Sequence, residues 1–221
     1  MTKPLILLGG GGHAKVLTDI LHRQGAEIIA VSVPSIIPKM KENLKLLHWI
    51  NGLRIIKDKE VFNYNPAEIY LANGLGSTDV GSRRGQIFKE YAENGYSFIN
   101  VIHSSAIVAD EVVLGKGVQI MAGVIIQPGC KLGNNVLVNT GTVMDHDCNI
   151  GEHVHLATGV TVSGNVCIGE NTHIGTGAKI INNITIGANC TVGAGAVIID
   201  DIPQNMRVAG VPAKIIGRNQ P

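Results

Sequence analysis

The chain has 221 residues, 18 Lys+Arg against 17 Asp+Glu and a formal net charge of +1, with no basic run. That balance argues against a nucleic-acid partner, since such partners demand a basic surface, and the length suits one or two domains rather than three. No apolar stretch reaches membrane-spanning length, and Leu5 to Leu8 is too short and too soon followed by glycine for a secretory signal, so a cytoplasmic protein is expected.

Pro4–Gly9 reads as a short buried strand. It runs into Gly9-Gly10-Gly11-Gly12-His13-Ala14-Lys15, a match to G-x-G-x-x-[GA]. A helix is expected next, with Val16, Leu17, Ile20 and Leu21 on one face and Gly25 as its stop. Glu27–Val33 reads as a second buried strand. A strand, glycine loop and helix aim backbone N–H groups and a helix N-terminus at a phosphate. Gly10, Gly11 and Gly12 would form that cradle, with His13 and Lys15 supplying donors or charge. A nicotinamide dinucleotide would also need an acid at the end of the second strand. That strand ends Val31-Ser32-Val33-Pro34, so a dehydrogenase is disfavoured and a smaller diphosphate ligand such as a nucleotide-sugar preferred.

Residues 34–51 show no regular pattern and hold the only Trp. Ile69–Leu71 reads as a third strand, ending at Ala72-Asn73-Gly74. Ser82 would cap a helix that buries Ile87, Phe88 and Tyr91 and stops at Gly95; Ser97–Ile102 would be a last strand. Alternating strands and helices predict a small Rossmann-like parallel α/β sheet over 1–102.

From Val108 to Ile198 an apolar residue stands at every sixth position, sixteen times without insertion. Four residues after each comes a slimmer one, among them Val112, Cys130, Thr142, Cys148, Thr172 and Cys190. Six is neither a helical period nor a plain alternation; it marks a solenoid of stacked coils. Gly115, Gly133, Gly151, Gly169 and Gly187 recur every 18 residues, so three hexads make one coil and these glycines should stack. At ~4.8 Å per rung, a little over five coils rise roughly 25 Å. The second domain spans 103–203, and 204–221 is a C-terminal tail. Cys130, Cys148 and Cys190 sit in the slim inward column as small core residues, while Cys167 faces outward.

Because the inward columns are apolar, chemistry must come from turns and outward faces. His146 stands at a turn between Asp145 and Asp147, a general base with an acid beside it. Asn139 is expected on an outward strand position nearby, and His155 and His173 on equivalent outward positions one coil apart. Two stacked histidines also invite a zinc reading, which would need a third ligand from another subunit; no metal is expected. Outward positions on one side read Ile125, Val143, Thr161 and Val197, with Met121 and Ala157 beside them. That face is too apolar for solvent, and a trimer suits a three-sided prism.

The hexads, the Gly9–Lys15 loop, Asp145-His146-Asp147 and the tail Val208-Ala209-Gly210-Val211-Pro212-Ala213-Lys214 together resemble bacterial sugar acyltransferases of the left-handed β-helix class. That group includes sialic acid O-acetyltransferases and N-acetyltransferases of nucleotide-linked 4-amino sugars. The resemblance implies a left-handed parallel β-helix after the α/β domain, and a homotrimer with active sites between subunits. It implies acetyl-CoA as acyl donor and a sugar nucleotide held by the N-terminal domain. It makes His146 the catalytic base, Asp147 or Asp145 its orienting acid, and Asn139 a contact of the acceptor. It places His155 near the thioester carbonyl, Gly164 and Gly175 beside the pantetheine arm, and Pro212 and Lys214 near the adenine end. Many relatives close the second strand with acids that this chain lacks. The expected reaction is acetyl transfer to the amine of a UDP-4-amino-sugar type acceptor in surface-glycan biosynthesis. O-acetylation of a sialic acid is the alternative, with a zinc-dependent hydratase and a non-catalytic scaffold as remoter ones.

Overall fold

The computed structural model describes residues 3–34, 49–50, 52–77 and 83–219. Ser82 and most of the irregular 34–51 stretch lie outside the described residues. The chain separates into two compact units, Met1–Gly76 with Ile87–Val101, and Ser77–Gln86 with Ile102–Pro221.

The first unit is a parallel sheet of β1 (Leu5–Leu8), β2 (Ile28–Val33), β3 (Arg54–Lys57), β4 (Tyr70–Asn73) and β5 (Ser97–Phe98), in the order β3-β2-β1-β4-β5. Strand β1 is Leu-Ile-Leu-Leu with all four residues buried, as a strand covered on both faces requires. Helix α1 (Gly12–Arg23) buries Ala14, Leu17, Thr18, Ile20 and Leu21. Val16 was expected on that face but is exposed, because it lies two residues out of phase with Ala14 and Thr18. The helix stops at Gly25, whose φ of +70° suits glycine. Helix α2 (Arg83–Glu93) places Ile87, Phe88 and Tyr91 in this unit's core, with the Phe88 and Phe98 rings 4.4 Å apart. Strand β3 has no clear sequence signal: it is an edge strand with only Ile56 buried. The strand expected over Ser97–Ile102 is two. Ser97–Phe98 joins this sheet beside β4, and β6 (Val101–Ile102) pairs elsewhere, with the second unit's strands.

The second unit is a parallel β-helix. Sixteen two-residue strands run from β7 (Ile107–Val108) to β22 (Val197–Ile198), one per hexad, each ending on the sixth-position residue. Strands 18 residues apart pair in parallel, so three sheets stack side by side. Both inward columns fill one continuous core, from Val118 and Ile120 up to Ile198 and Ile202. The stacked glycines are needed for close approach. A Cβ on Gly151 would lie 2.6 Å from the Glu170 backbone nitrogen of the next coil, and one on Gly133 2.8 Å from that of Glu152. Residues 204–219 are less a loose tail than two strands, β23 (Met206–Gly210) and antiparallel β24 (Ala213–Arg218), which continue the sheet of β21 (Thr191–Val192).

Candidate active site

In the first unit, the glycine loop leaves the carboxyl end of β1. Gly9 turns with φ +97° and donates its N–H to the Ser32 carbonyl at 2.7 Å. Gly11 caps α1 in extended backbone, and no acid stands in the helix's first turn. Open space lies where a Cβ on Gly11 or Gly12 would go, so the N–H groups of the first turn remain approachable. Gly10 and His13 are half-buried and Lys15 is exposed. This is an anion-binding arrangement. The strand order reverses direction at β1 and β4, where ligands of open parallel sheets bind. Gly74, at the end of β4, closes that point tightly: a Cβ there would stand 2.7 Å from the Leu8 carbonyl oxygen and 2.8 Å from the Ala14 Cβ.

The acid missing from the end of β2 arrives from the neighbouring strand. The buried Ser32 hydroxyl donates to Asp58 Oδ1 at 2.5 Å, just past the end of β3. The Asp58 carbonyl in turn accepts the Tyr91 hydroxyl at 2.8 Å. Ser32 therefore ties the glycine loop to a carboxylate at the same edge of the sheet.

In the second unit, Asp145 to Cys148 form the turn from β13 (Val143–Met144) to β14 (Asn149–Ile150). Asp145 accepts the backbone N–H of His146 at 2.8 Å. Asp147 adopts φ +57°, which folds its carboxylate back onto the ring: Oδ2 lies 2.8 Å from His146 Nδ1. The two side chains are 59% and 66% exposed. The Asp147 hydrogen bond first, and the Asp145 charge second, raise the imidazole above its ordinary pKa of 6.5. Between the two acids, Asp147 is therefore the one that orients the ring. The His146 ring packs against Gly164, one coil further on.

Asn139, His155 and His173 belong to another side of the prism, on or just after strands of one sheet. Asn139 is not on a strand. It opens the turn after β12 (Leu137–Val138), where its Oδ1 accepts the Thr140 N–H at 2.8 Å. His155 and His173 pair in register on adjacent strands, with rings 4.9 Å apart and edge-to-face. His155 is not solvated: it is 7% exposed, and its Nδ1–H donates to the Ser77 carbonyl at 2.6 Å. A single protomer therefore does not gather His146, Asn139 and His155 into one cluster. Gly175 packs on the backbone of residues 192–194, again by close approach. Pro212 and Lys214 are exposed at the turn into β24 and on it. On the apolar side, Lys179 interrupts the column of Thr161 and Val197, and Met121 and Ala157 are buried at turns rather than displayed on the face.

Two groups escaped the sequence reading. One is Gly129, which stands 18 residues before Asp147, an offset the coil period makes visible. The other is a buried polar cluster of Arg84, Asn135 and His153. Asn135 Nδ2 lies 3.0 Å from His153 Nδ1, and burial lowers the Arg84 guanidinium to about 9. His153 adopts φ +61° where the other turns use Gly, Asn or, at 147, Asp, which marks it as special only once backbone angles are known. Among the described residues, no three His, Cys, Asp or Glu side chains converge to hold a metal ion, and no helix is long and apolar enough to cross a membrane.

Comparison with solved structures places this geometry. Perosamine N-acetyltransferase PerB from Caulobacter crescentus, solved with CoA and GDP-perosamine, matches with a TM-score of 0.84 at 33% identity, covering 97% of both chains. The chain belongs to the bacterial sugar acetyltransferases of the left-handed β-helix class. The hexapeptide bacterial transferase family (six repeats) matches this acetyltransferase over 111–146 and 165–200. The acetyltransferase domain of PglB from Neisseria gonorrhoeae matches with a TM-score of 0.85 at 32% identity, over 97% of this chain and 100% of that one. It has also been solved with acetyl coenzyme A. WeeI from Acinetobacter baumannii shares the fold, with a TM-score of 0.84 at 22% identity. No curated protein sequence matches.

Proposed function

We propose that this acetyltransferase moves the acetyl group of acetyl-CoA to the amino group of a nucleotide-linked 4-amino sugar, with His146 as general base. The observation that carries the reading is the His146–Asp147 pair, an exposed imidazole locked at 2.8 Å by a carboxylate on a left-handed turn. With Nδ1–H donated to Asp147, the Nε2 lone pair is the free basic site. It accepts the proton that the attacking amine loses as the tetrahedral intermediate forms on the thioester carbonyl, and the CoA thiolate then leaves. No covalent enzyme intermediate is required, because the thioester is already activated.

Acetyl-CoA is the acyl donor, as in the complex of the PglB domain. An amine acceptor is favoured over a sugar hydroxyl by the perosamine N-acetyltransferase, whose histidine-to-asparagine variant was solved with CoA and GDP-perosamine. The Gly9–Gly12 loop, with His13 and Lys15 beside it, takes the diphosphate of the acceptor nucleotide, and Asp58 stands at the same sheet edge to accept from its nucleoside. Because His146 sits on a different side of the prism from Asn139 and His155, the complete site needs a second protomer. A homotrimer brings the His146 edge of one copy to the His155 face of the next, with Gly175, Pro212 and Lys214 along the CoA. The protein then acts in the cytoplasm, where acetyl-CoA and sugar nucleotides are made.

The test is an acetyl-CoA consumption assay with UDP-, GDP-, CMP- and dTDP-linked amino sugars, run on the wild type and His146→Ala. General-base help is worth ~10²–10⁴ in rate, so the variant should lose that much kcat while still binding CoA. Near-normal turnover would remove His146 from the role, and silence with every amino sugar would remove the acceptor class.

A further inference from the structure

We propose that Gly164 and Gly129 are positioning residues for the base: by lacking side chains, they leave the two recesses that hold the His146–Asp147 pair in one geometry. This rests on the reading of His146 as the base.

The three coils concerned stack directly. The Asp147 N–H donates to the Pro128 carbonyl at 3.1 Å, and the Asn165 N–H to the His146 carbonyl at 2.9 Å. Gly129 is therefore the turn residue below Asp147, and Gly164 the one above His146. A Cβ on Gly164 would lie 2.7 Å from both Cε1 and Nε2 of His146 and 3.2 Å from Cδ2. The three nearest atoms all belong to the imidazole, and Gly164 does not have positive φ, so glycine is not demanded there by backbone conformation. It is demanded by the ring. A methyl group would push the imidazole aside, and a ring turned about its side-chain bonds cannot keep Nδ1 within 2.8 Å of Asp147 Oδ2. The same methyl group would crowd Nε2, where the amine proton must arrive.

Gly129 does the complementary task. A Cβ there would collide with Asp147 Oδ1 and lie 3.2 Å from its Cγ. Equivalent left-handed turns further up the same edge are held by Asn165 and Asn183, so backbone conformation alone would allow Asn at 129. The carboxylate above explains the smaller residue. One glycine thus seats the ring and the other seats its acid partner.

Two variants and two readouts test this. Gly164→Ala removes the ring's recess. Gly129→Asn keeps a turn-compatible residue but fills the carboxylate's recess. In each, the His146 ring-proton NMR titration should fall from its raised position toward the ordinary 6.5, with the folded trimer's melting temperature nearly unchanged. For Gly164→Ala, kcat should drop ~10–100-fold, the scale of an ångström-level misplacement, while KM for acetyl-CoA stays within about twofold. In a His146→Ala background, Gly164→Ala should cost nothing further, since the ring it houses is gone. An unchanged titration in both variants would overturn the proposal. So would losses that multiply in the double variant, because Gly164 would then act on the substrate directly. A shifted titration with undiminished kcat would uphold the positioning and count instead against His146 as the base.

Discussion

The geometry of His146 depends on the backbone of its neighbour. Aspartate seldom takes φ near +57°, but the turn requires that hand here, as Gly129, Asn165 and Asn183 show at the equivalent positions. Here the turn delivers a carboxylate to Nδ1 and raises the imidazole pKa. As the proposed base, His146 must be neutral to act, so kcat/KM should climb with pH through a value above 6.5 and level off beyond it. Asp147→Asn keeps an acceptor near Nδ1 but removes the charge. Its profile should shift to lower pH, and its plateau should fall, because the less basic imidazole pulls the proton less strongly. Asp145→Asn should move the profile less; a larger shift from Asp145 would reverse the assignment of the orienting acid. The triplet itself is plain in the sequence, but the choice between its acids is not, since residue order does not encode which carboxylate the turn folds inward. Asp58 was hidden for a related reason: it follows an edge strand with one buried residue, and only sheet order reveals that β3 lies beside β2.

At the scale of the element, the hexad says which residues face inward but not why some of them are polar. Thr142, Thr172, Cys130 and Cys148 occupy the slim column where Val is the common choice. Each donates to a turn carbonyl 15 residues ahead: Thr142 to Ala157 at 3.0 Å, Thr172 to Gly187 at 2.9 Å, Cys130 to Asp145 at 3.0 Å and Cys148 to Ser163 at 3.3 Å. These side chains supply donors to the turns, where the regular ladder is interrupted. Thr172 also accepts the Cys190 N–H at 3.1 Å. Thr172→Val keeps the shape and deletes both bonds, leaving an N–H and a C=O without their partner in the interior. It should lower unfolding stability by ~1–3 kcal/mol in urea titration; an unchanged midpoint would show that the turns are satisfied by other groups. The short-range pattern was equally blind to the break within Ser97–Ile102. Six residues of strand-like composition serve two different sheets, and only pairing partners far along the chain divide them.

At the scale of the whole molecule, an 18-residue coil was legible because every rung repeats one constraint, whereas Ser77–Gln86 grouping with the β-helix was not. That segment carries no repeat; Ser77 bonds His155 and Arg84 the Asn135 carbonyl, contacts that no periodicity announces. The proposed trimer follows from the repeat as well. The column Ile107, Ile125, Val143 and Thr161 runs in register up one side, with Ile107 65% and Val143 37% exposed. A regular apolar ridge on a three-sided prism is best covered by identical ridges about a threefold axis. Val143→Glu sets a charge mid-ridge between Ile125 and Thr161, without touching the inward columns. Light scattering should find the wild type at three times the 23.3 kDa chain mass and the variant at one. The separated chains should keep their fold yet lose acetyl transfer, since His146 and His155 of one copy point from different sides of the prism. A wild type already at single-chain mass, or a dissociated variant with full turnover, would mean that each protomer completes its own site.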